Sequence, residues 1–195
     1  MKKKALICNS LIIILELIGL IAYIIQMKSL SLEYYTMESN VLALITSSLF
    51  LIFREKKKFL VADLRFITTC CLTVTFLVVL FILLPMSGFN FYFMFFQNET
   101  WIFHFLVPIV SIISYICFEE RSNKQYLGFL FTLFYAIVLI ILNLKDVIVG
   151  PYPFLRVKEQ SILMSIIWCI IIIGGSYVIG LGLNYFNKKI KGAQK

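Results

Sequence analysis

Six apolar stretches separated by short, mostly basic connections leave this sequence few ways to fold. They fall at about 5–26, 34–53, 64–84, 101–118, 126–144 and 162–186. Crossing the roughly 30 Å hydrocarbon core of a bilayer takes about 20 residues of helix, close to the length of each. Many of these residues are β-branched and would favour strands in water. In lipid, every backbone amide must find its partner within its own segment, so runs this long become helices. A β-barrel would alternate polar and apolar residues over runs of about ten, a pattern absent here. Hydrophobic residues make up 61% of the chain and charged residues 14%. Soluble domains sit near about half and about a quarter, so a soluble enzyme, a soluble binding module and a disordered chain are all excluded. The predicted fold is all-α: a six-transmembrane-helix bundle forming one polytopic membrane domain over residues 1–195.

The 18 Lys and Arg outnumber the 10 Asp and Glu, and their placement argues for membrane orientation rather than nucleic acid. Lys2, Lys3 and Lys4 precede the first stretch, and Arg54, Lys56, Lys57, Lys58 and Arg65 surround the second connection. Arg121 and Lys124 lie in the fourth connection; Lys188, Lys189, Lys191 and Lys195 follow the sixth stretch. Only Lys28, Lys145, Arg156 and Lys158 fall on the other side. By the positive-inside rule both termini are cytoplasmic, in a multi-pass protein of the cell membrane. The first run exceeds a signal peptide's apolar region and carries Glu16, so it is expected to remain as a helix. Cys8, Cys70, Cys71, Cys117 and Cys169 all fall in helices and read as small apolar fillers. With one histidine and no clustered carboxylates, neither a metal nor a cofactor is called for.

Ionisable and polar groups inside a membrane are costly, so they mark the protein interior or a water-filled site. His104, Pro108, Ser111 and Tyr115 are spaced by four, three and four, which puts them on one helix face. Thr36, Asn40, Ala43 and Ser47 share a small, polar face of the second stretch, and Asn9, Glu16 and Tyr23 repeat every seven along the first. Thr36 and His104 lie at similar depth beneath the outer headgroups. An alcohol attacks an ester only if a base takes its proton, and neutral imidazole is the usual base near pH 7. Thr36 is thus a candidate nucleophile with His104 as its base, Asn40 one turn below as an oxyanion donor, and Ser39 beside it. Glu38 and Glu99 point off the relevant faces, which leaves no carboxylate to orient His104. Both prolines of Gly150-Pro151-Tyr152-Pro153-Phe154 force a rigid turn, from which Tyr152 and Phe154 can fold over the same mouth. The aromatic run from Phe89 to Phe96 is expected at the membrane interface. Ser176 and Gly180, with Gly174, Gly175 and Gly182, predict close approach of the last helix to a neighbour.

Tyr34-Tyr35-Thr36-Met37-Glu38-Ser39-Asn40, His104-Phe105-Leu106-Val107-Pro108 and Tyr152-Pro153-Phe154-Leu155, in that order on six helices, resemble the androgen-induced-gene-like membrane proteins and their bacterial relatives. Some animal members are threonine hydrolases that cleave fatty acid esters of hydroxy fatty acids within the membrane. They use one Thr at the start of helix 2 and one His in helix 4; by position, the resemblance implies Thr36 and His104 here. Met37-Glu38-Ser39-Asn40 is more polar than its counterpart in the animal enzymes. The His104 to Pro108 spacing is one residue shorter, a shift that rotates an imidazole by about 100° on a regular helix.

The expected activity is hydrolysis of a membrane lipid or lipid-like ester near the outer leaflet, in a pocket with apolar walls. Glu16, Tyr23 and Ser111 then serve as supporting or path residues. The alternative is a non-catalytic membrane protein: a small-solute or lipid transporter, or a partner subunit. A transporter needs a polar route reaching both faces, here lined by Glu16, and a hydrolase needs a cavity open at one end.

Overall fold

The structure, a computed structural model, describes residues 2–193; Lys195, one of the basic residues after the last stretch, lies outside the described residues. Among those described there is no strand. Five helices among the described residues are long and apolar enough to cross a membrane: α1 (Lys2–Met27), α2 (Tyr35–Phe53), α3 (Lys58–Met86), α5 (Leu127–Leu144) and α6 (Ile162–Ala193). Helix α4 (Ile102–Phe118) is apolar but shorter.

The apolar surface explains why such a chain belongs in lipid. On α1, Ile14, Ile18, Ile21 and Ile25 form an exposed stripe at helical spacing, while Asn9, Ile12, Glu16 and Leu20 on the other side are buried. A face that apolar would drive aggregation in water, and in a bilayer it meets acyl chains instead. This is the architecture of a helical membrane protein.

Helix α3 is central and packs against α2, α4, α5 and α6, while α1 closes the bundle against α2 and α4. The helix ends sort into two sets. One, the basic end, holds the 53–58 and 118–127 connections. The other, the aromatic end, holds the 27–35, 86–102 and 144–162 connections. Of the predicted glycine contacts, Gly180 faces Gly128 of α5: the Gly180 Cα lies 3.5 Å from the site of a Cβ added at Gly128. Gly174, Gly175 and Gly182 border open space, so the small-residue packing is confined to Ser176, which is buried, and Gly180.

Three helices are wound more widely for one turn, with i→i+5 hydrogen bonds: α3 at Val79–Leu83, α4 at Ile102–Leu106 and α6 at Ile170–Gly174. Two have a cause in sequence. Proline has no N–H and clashes with the carbonyl four residues back; Pro85 and Pro108 place those carbonyls on Phe81 and His104, inside the widened turns.

The basic end is tied by a buried polar network. Arg65 is fully buried and donates from Nε to Glu119 Oε2 at 3.0 Å, from Nη1 to Ser47 at 3.0 Å and from Nη2 to Ser111 at 3.1 Å. Asn9 donates to Glu119 Oε1 at 2.9 Å, and Ser114 donates to the same oxygen. Asn187 of α6 donates to the Glu119 carbonyl at 3.1 Å, and Lys191 also reaches that carbonyl. A buried pair of this kind holds its geometry only when its remaining donors and acceptors are met, and here five helices meet them. Arg65, counted by sequence among the loop-flanking charges, lies two turns inside α3 because that helix begins at Lys58 rather than at residue 64.

Candidate functional site

Thr36 is the second residue of α2, at the aromatic end, and half-buried. His104 lies in the widened first turn of α4, also half-buried. Helices α2 and α4 meet at this turn, an adjacency that no sequence spacing could establish. Both side chains line one open cleft of about 590 Å³, together with Tyr23, Tyr34, Tyr152 and Glu99. They share a cavity without sharing a hydrogen bond.

Each has a different partner. The Tyr152 hydroxyl accepts from the Thr36 backbone N–H at 3.3 Å and lies 3.4 Å from Thr36 Oγ1. The first N–H groups of a helix have no intrahelical acceptor, so a loop hydroxyl completes the start of α2. Tyr152 is itself fixed by stacking on Phe154, at 5.2 Å between ring centroids, and by an edge contact with Tyr34. Burial pushes its hydroxyl pKa above the ordinary 10.0 despite the Thr36 contacts. Tyr152 therefore keeps its proton through the physiological range and remains a donor.

His104 Nδ1 lies 2.7 Å from the carbonyl oxygen of Met94. A carbonyl only accepts, so Nδ1 carries the proton and, in neutral imidazole, Nε2 holds the free lone pair. The missing orienting group is thus a backbone carbonyl rather than a carboxylate. It is presented by the short turn Tyr92–Phe96, part of the aromatic run. That run divides: Phe95 is buried against Phe76 and Phe105, while Phe89, Phe91, Tyr92, Phe93 and Phe96 are exposed. It serves both as an apolar interface and as the support of His104.

The other predicted residues separate into those that reach the cleft and those that do not. Tyr23 and Tyr152 line it. Asn40 does not: its side-chain nitrogen donates to the Thr36 carbonyl at 2.7 Å, and Ser39 donates to that same carbonyl at 3.0 Å. Both brace the backbone of Thr36, and neither is aimed at a substrate oxyanion. Ser39 also bonds Thr75 of α3 at 3.0 Å. Ser111 belongs to the Arg65 network and bonds Thr69 at 3.0 Å. Glu16 is fully buried, with both carboxylate oxygens lacking a partner among the described residues, and it is absent from the cleft wall. Glu99, which regular helical spacing turns away, lines the cleft with Oε2 buried and without a hydrogen bond among the described residues. Its placement follows from left-handed Asn98 (φ 51°) and from the start of α4 after residue 100, which break that spacing.

Chemically, the arrangement offers an alcohol, an imidazole with its basic nitrogen unoccupied, a neutral phenol and an apolar surround. Compared with known protein families, with curated proteins and with solved structures, the chain matches none.

Proposed function

We propose that this protein is an intramembrane threonine hydrolase of lipid esters, with Thr36 as nucleophile and His104 as base. One observation carries the reading: Thr36 and His104 border a single cleft, and the Met94 carbonyl holds the imidazole in the tautomer a base requires. All six helices span the bilayer in this reading. The basic end faces the cytoplasm with both termini, and the cleft opens toward the outer leaflet.

The reaction follows from these groups. Thr36 Oγ attacks the ester carbonyl carbon as His104 Nε2 takes its proton. The oxyanion is met by the Tyr152 hydroxyl, released from Thr36 Oγ1 as the carbonyl arrives. Collapse breaks the bond to the alcohol, which leaves with the proton from His104, and an acyl-threonine remains. Water then attacks that acyl group and gives a proton to His104. The acid departs, and the proton returns to Thr36 Oγ.

A fluorophosphonate probe tests this directly. It is expected to label Thr36 in intact membranes, and Thr36→Ala and His104→Ala are each expected to abolish labelling at unchanged expression. Labelling that persists in Thr36→Ala removes the proposal.

The route expected of a transporter finds less support. Glu16 lines neither the cleft nor the cavity at the basic end beside Arg54, Lys58 and Glu119.

A further inference from the structure

The cleft of Thr36 and His104 carries more than the hydrolysis step uses. Tyr23, Tyr34, Phe93, Phe103 and Tyr152 line it beside Glu99, and its wall includes no Lys or Arg. Phe103 and Tyr152 are buried, while Tyr34 and Phe93 are exposed at the rim. The rings of Tyr34 and Tyr152 stand nearly perpendicular, at 86° and 6.1 Å between centroids, and so make a corner. Glu99 is the only acid of this wall among the described residues, and local structure does not occupy it. The first N–H groups of α4 are met by main chain: Ile102 and Phe103 donate to the Glu99 carbonyl at 3.0 and 3.2 Å. Thr100 donates its hydroxyl to the Gln97 carbonyl at 2.6 Å rather than to the carboxylate. Among the described residues, Glu99 Oε2 has no hydrogen bond and the carboxylate has no ion pair.

The helix dipole favours an acid at this position, which accounts for Glu99 and leaves the aromatic surround without a reason. Exposed aromatics suit a membrane interface, which accounts for Phe93 and leaves the carboxylate among them without a counter-charge. A negative group withdrawn from water calls for a positive partner, and electron-rich rings attract a cation as well. One ligand satisfies both. The donor set decides the kind of cation. A metal ion takes several oxygen or nitrogen ligands, and no group of three His, Cys, Asp or Glu is assembled among the described residues. A primary ammonium wants an acceptor for each of its three N–H groups. A quaternary ammonium wants none, and is held by charge and by aromatic rings.

We propose that this cleft binds a quaternary ammonium ion, with Glu99 opposite its charge and the five aromatic side chains around its methyl groups. In the hydrolase, the reading on which this second part rests, the ammonium belongs to the alcohol portion of the ester. Glu99 then selects among esters by the charge they carry, while Thr36 and His104 act on the carbonyl. The same group arrives on a choline ester from water or on a choline lipid from the bilayer, and the test separates the two.

Full-length protein is studied in dodecyl maltoside micelles, which are uncharged and hold no ammonium. Choline and its neutral isostere neohexanol, in which carbon replaces the nitrogen, are titrated, and binding is read by saturation-transfer NMR on their methyl protons. Choline is expected to bind about tenfold more tightly than neohexanol, and Glu99→Gln to remove that preference. Equal binding of the two by the wild type overturns the proposal, as does a preference that Glu99→Gln leaves intact. Ethanolamine binding as tightly as choline overturns the quaternary assignment. If Glu99→Gln lowers thermal stability, Tyr34→Leu at the exposed rim takes its place and is expected to narrow the choline preference. Vesicles, read against protein-free controls, identify the source. Choline binding seen in phosphatidylglycerol and lost in phosphatidylcholine assigns the site to a lipid headgroup, and binding kept in both assigns it to a free ester; loss in both overturns the site. None of these measurements needs Thr36 to react. Selective choline binding without fluorophosphonate labelling removes the hydrolase reading and keeps the ammonium site, whereas labelling without choline preference removes this inference alone.

Discussion

The two ends of the bundle hold similar side chains in opposite conditions. At the basic end, Arg65 and Glu119 are buried with hydrogen bonds to Asn9, Ser47, Ser111 and Ser114. At the aromatic end, Thr36 and His104 face a shared cleft with one external partner each, a loop hydroxyl and a loop carbonyl. In a low-dielectric interior, a dense hydrogen-bonded network rigidifies and resists disturbance. A group with a vacant lone pair beside a cavity can receive a substrate. In the proposed hydrolase, the closed end supplies stability and the open end keeps the groups that chemistry needs.

Breaking the closed end should have the largest effect. Arg65→Met leaves Glu119 charged and unpaired, and such losses cost about 3–5 kcal/mol. Thermal unfolding in detergent should register this as severe destabilisation, whereas Thr36→Ala should shift the same transition by less than about 1 kcal/mol. Comparable damage from both would erase the contrast. Next comes His104→Gln, expected to slow fluorophosphonate labelling by about 10²–10⁴-fold while folding is retained.

Tyr152→Phe should cost about tenfold in rate, the worth of one neutral hydrogen bond. Its pH signature sharpens the assignment. Because burial raises the Tyr152 pKa above 10.0, its hydroxyl stays protonated as pH rises, and the wild-type rate should show no alkaline decline from this group below about pH 10. Rate profiles of the two proteins would reveal an earlier decline if Tyr152 ionised sooner. The smallest effect belongs to the loop pair Lys124–Asp63, 2.9 Å apart. The hydrogen bond to Asp63 raises the Lys124 pKa, but Lys124 is exposed and water screens such pairs. Lys124→Ala should leave unfolding and labelling within error.

How far the sequence could be read follows from what lipid enforces. The helices were legible because an unpaired amide in hydrocarbon is too costly for other conformations. The similar depth of Thr36 and His104 was legible from two polar faces, but their common cleft was not, because spacing along a chain does not fix which helices are neighbours. Arg65 was not, because apolar windows miss the polar first turns of α3, where Lys58 and Asp63 precede the hydrophobic run. The Met94 carbonyl was not, because a backbone acceptor leaves no mark on residue type. Asn40 was legible as buried, but its choice of the Thr36 carbonyl depends on a rotamer rather than on spacing.

The widened turn ahead of Pro108 has a consequence for how the imidazole is aimed. Each residue in i→i+5 winding advances by less than the 100° of an α-helix, so the proline sets the angular phase of everything before it in α4. Pro108→Ala would let residues 102–106 rewind regularly and swing His104 around the helix axis, without altering any atom of the ring or its neighbours in sequence. Pro108 thus works as an indexing pin, fixing from one turn away which compass bearing the lone pair takes.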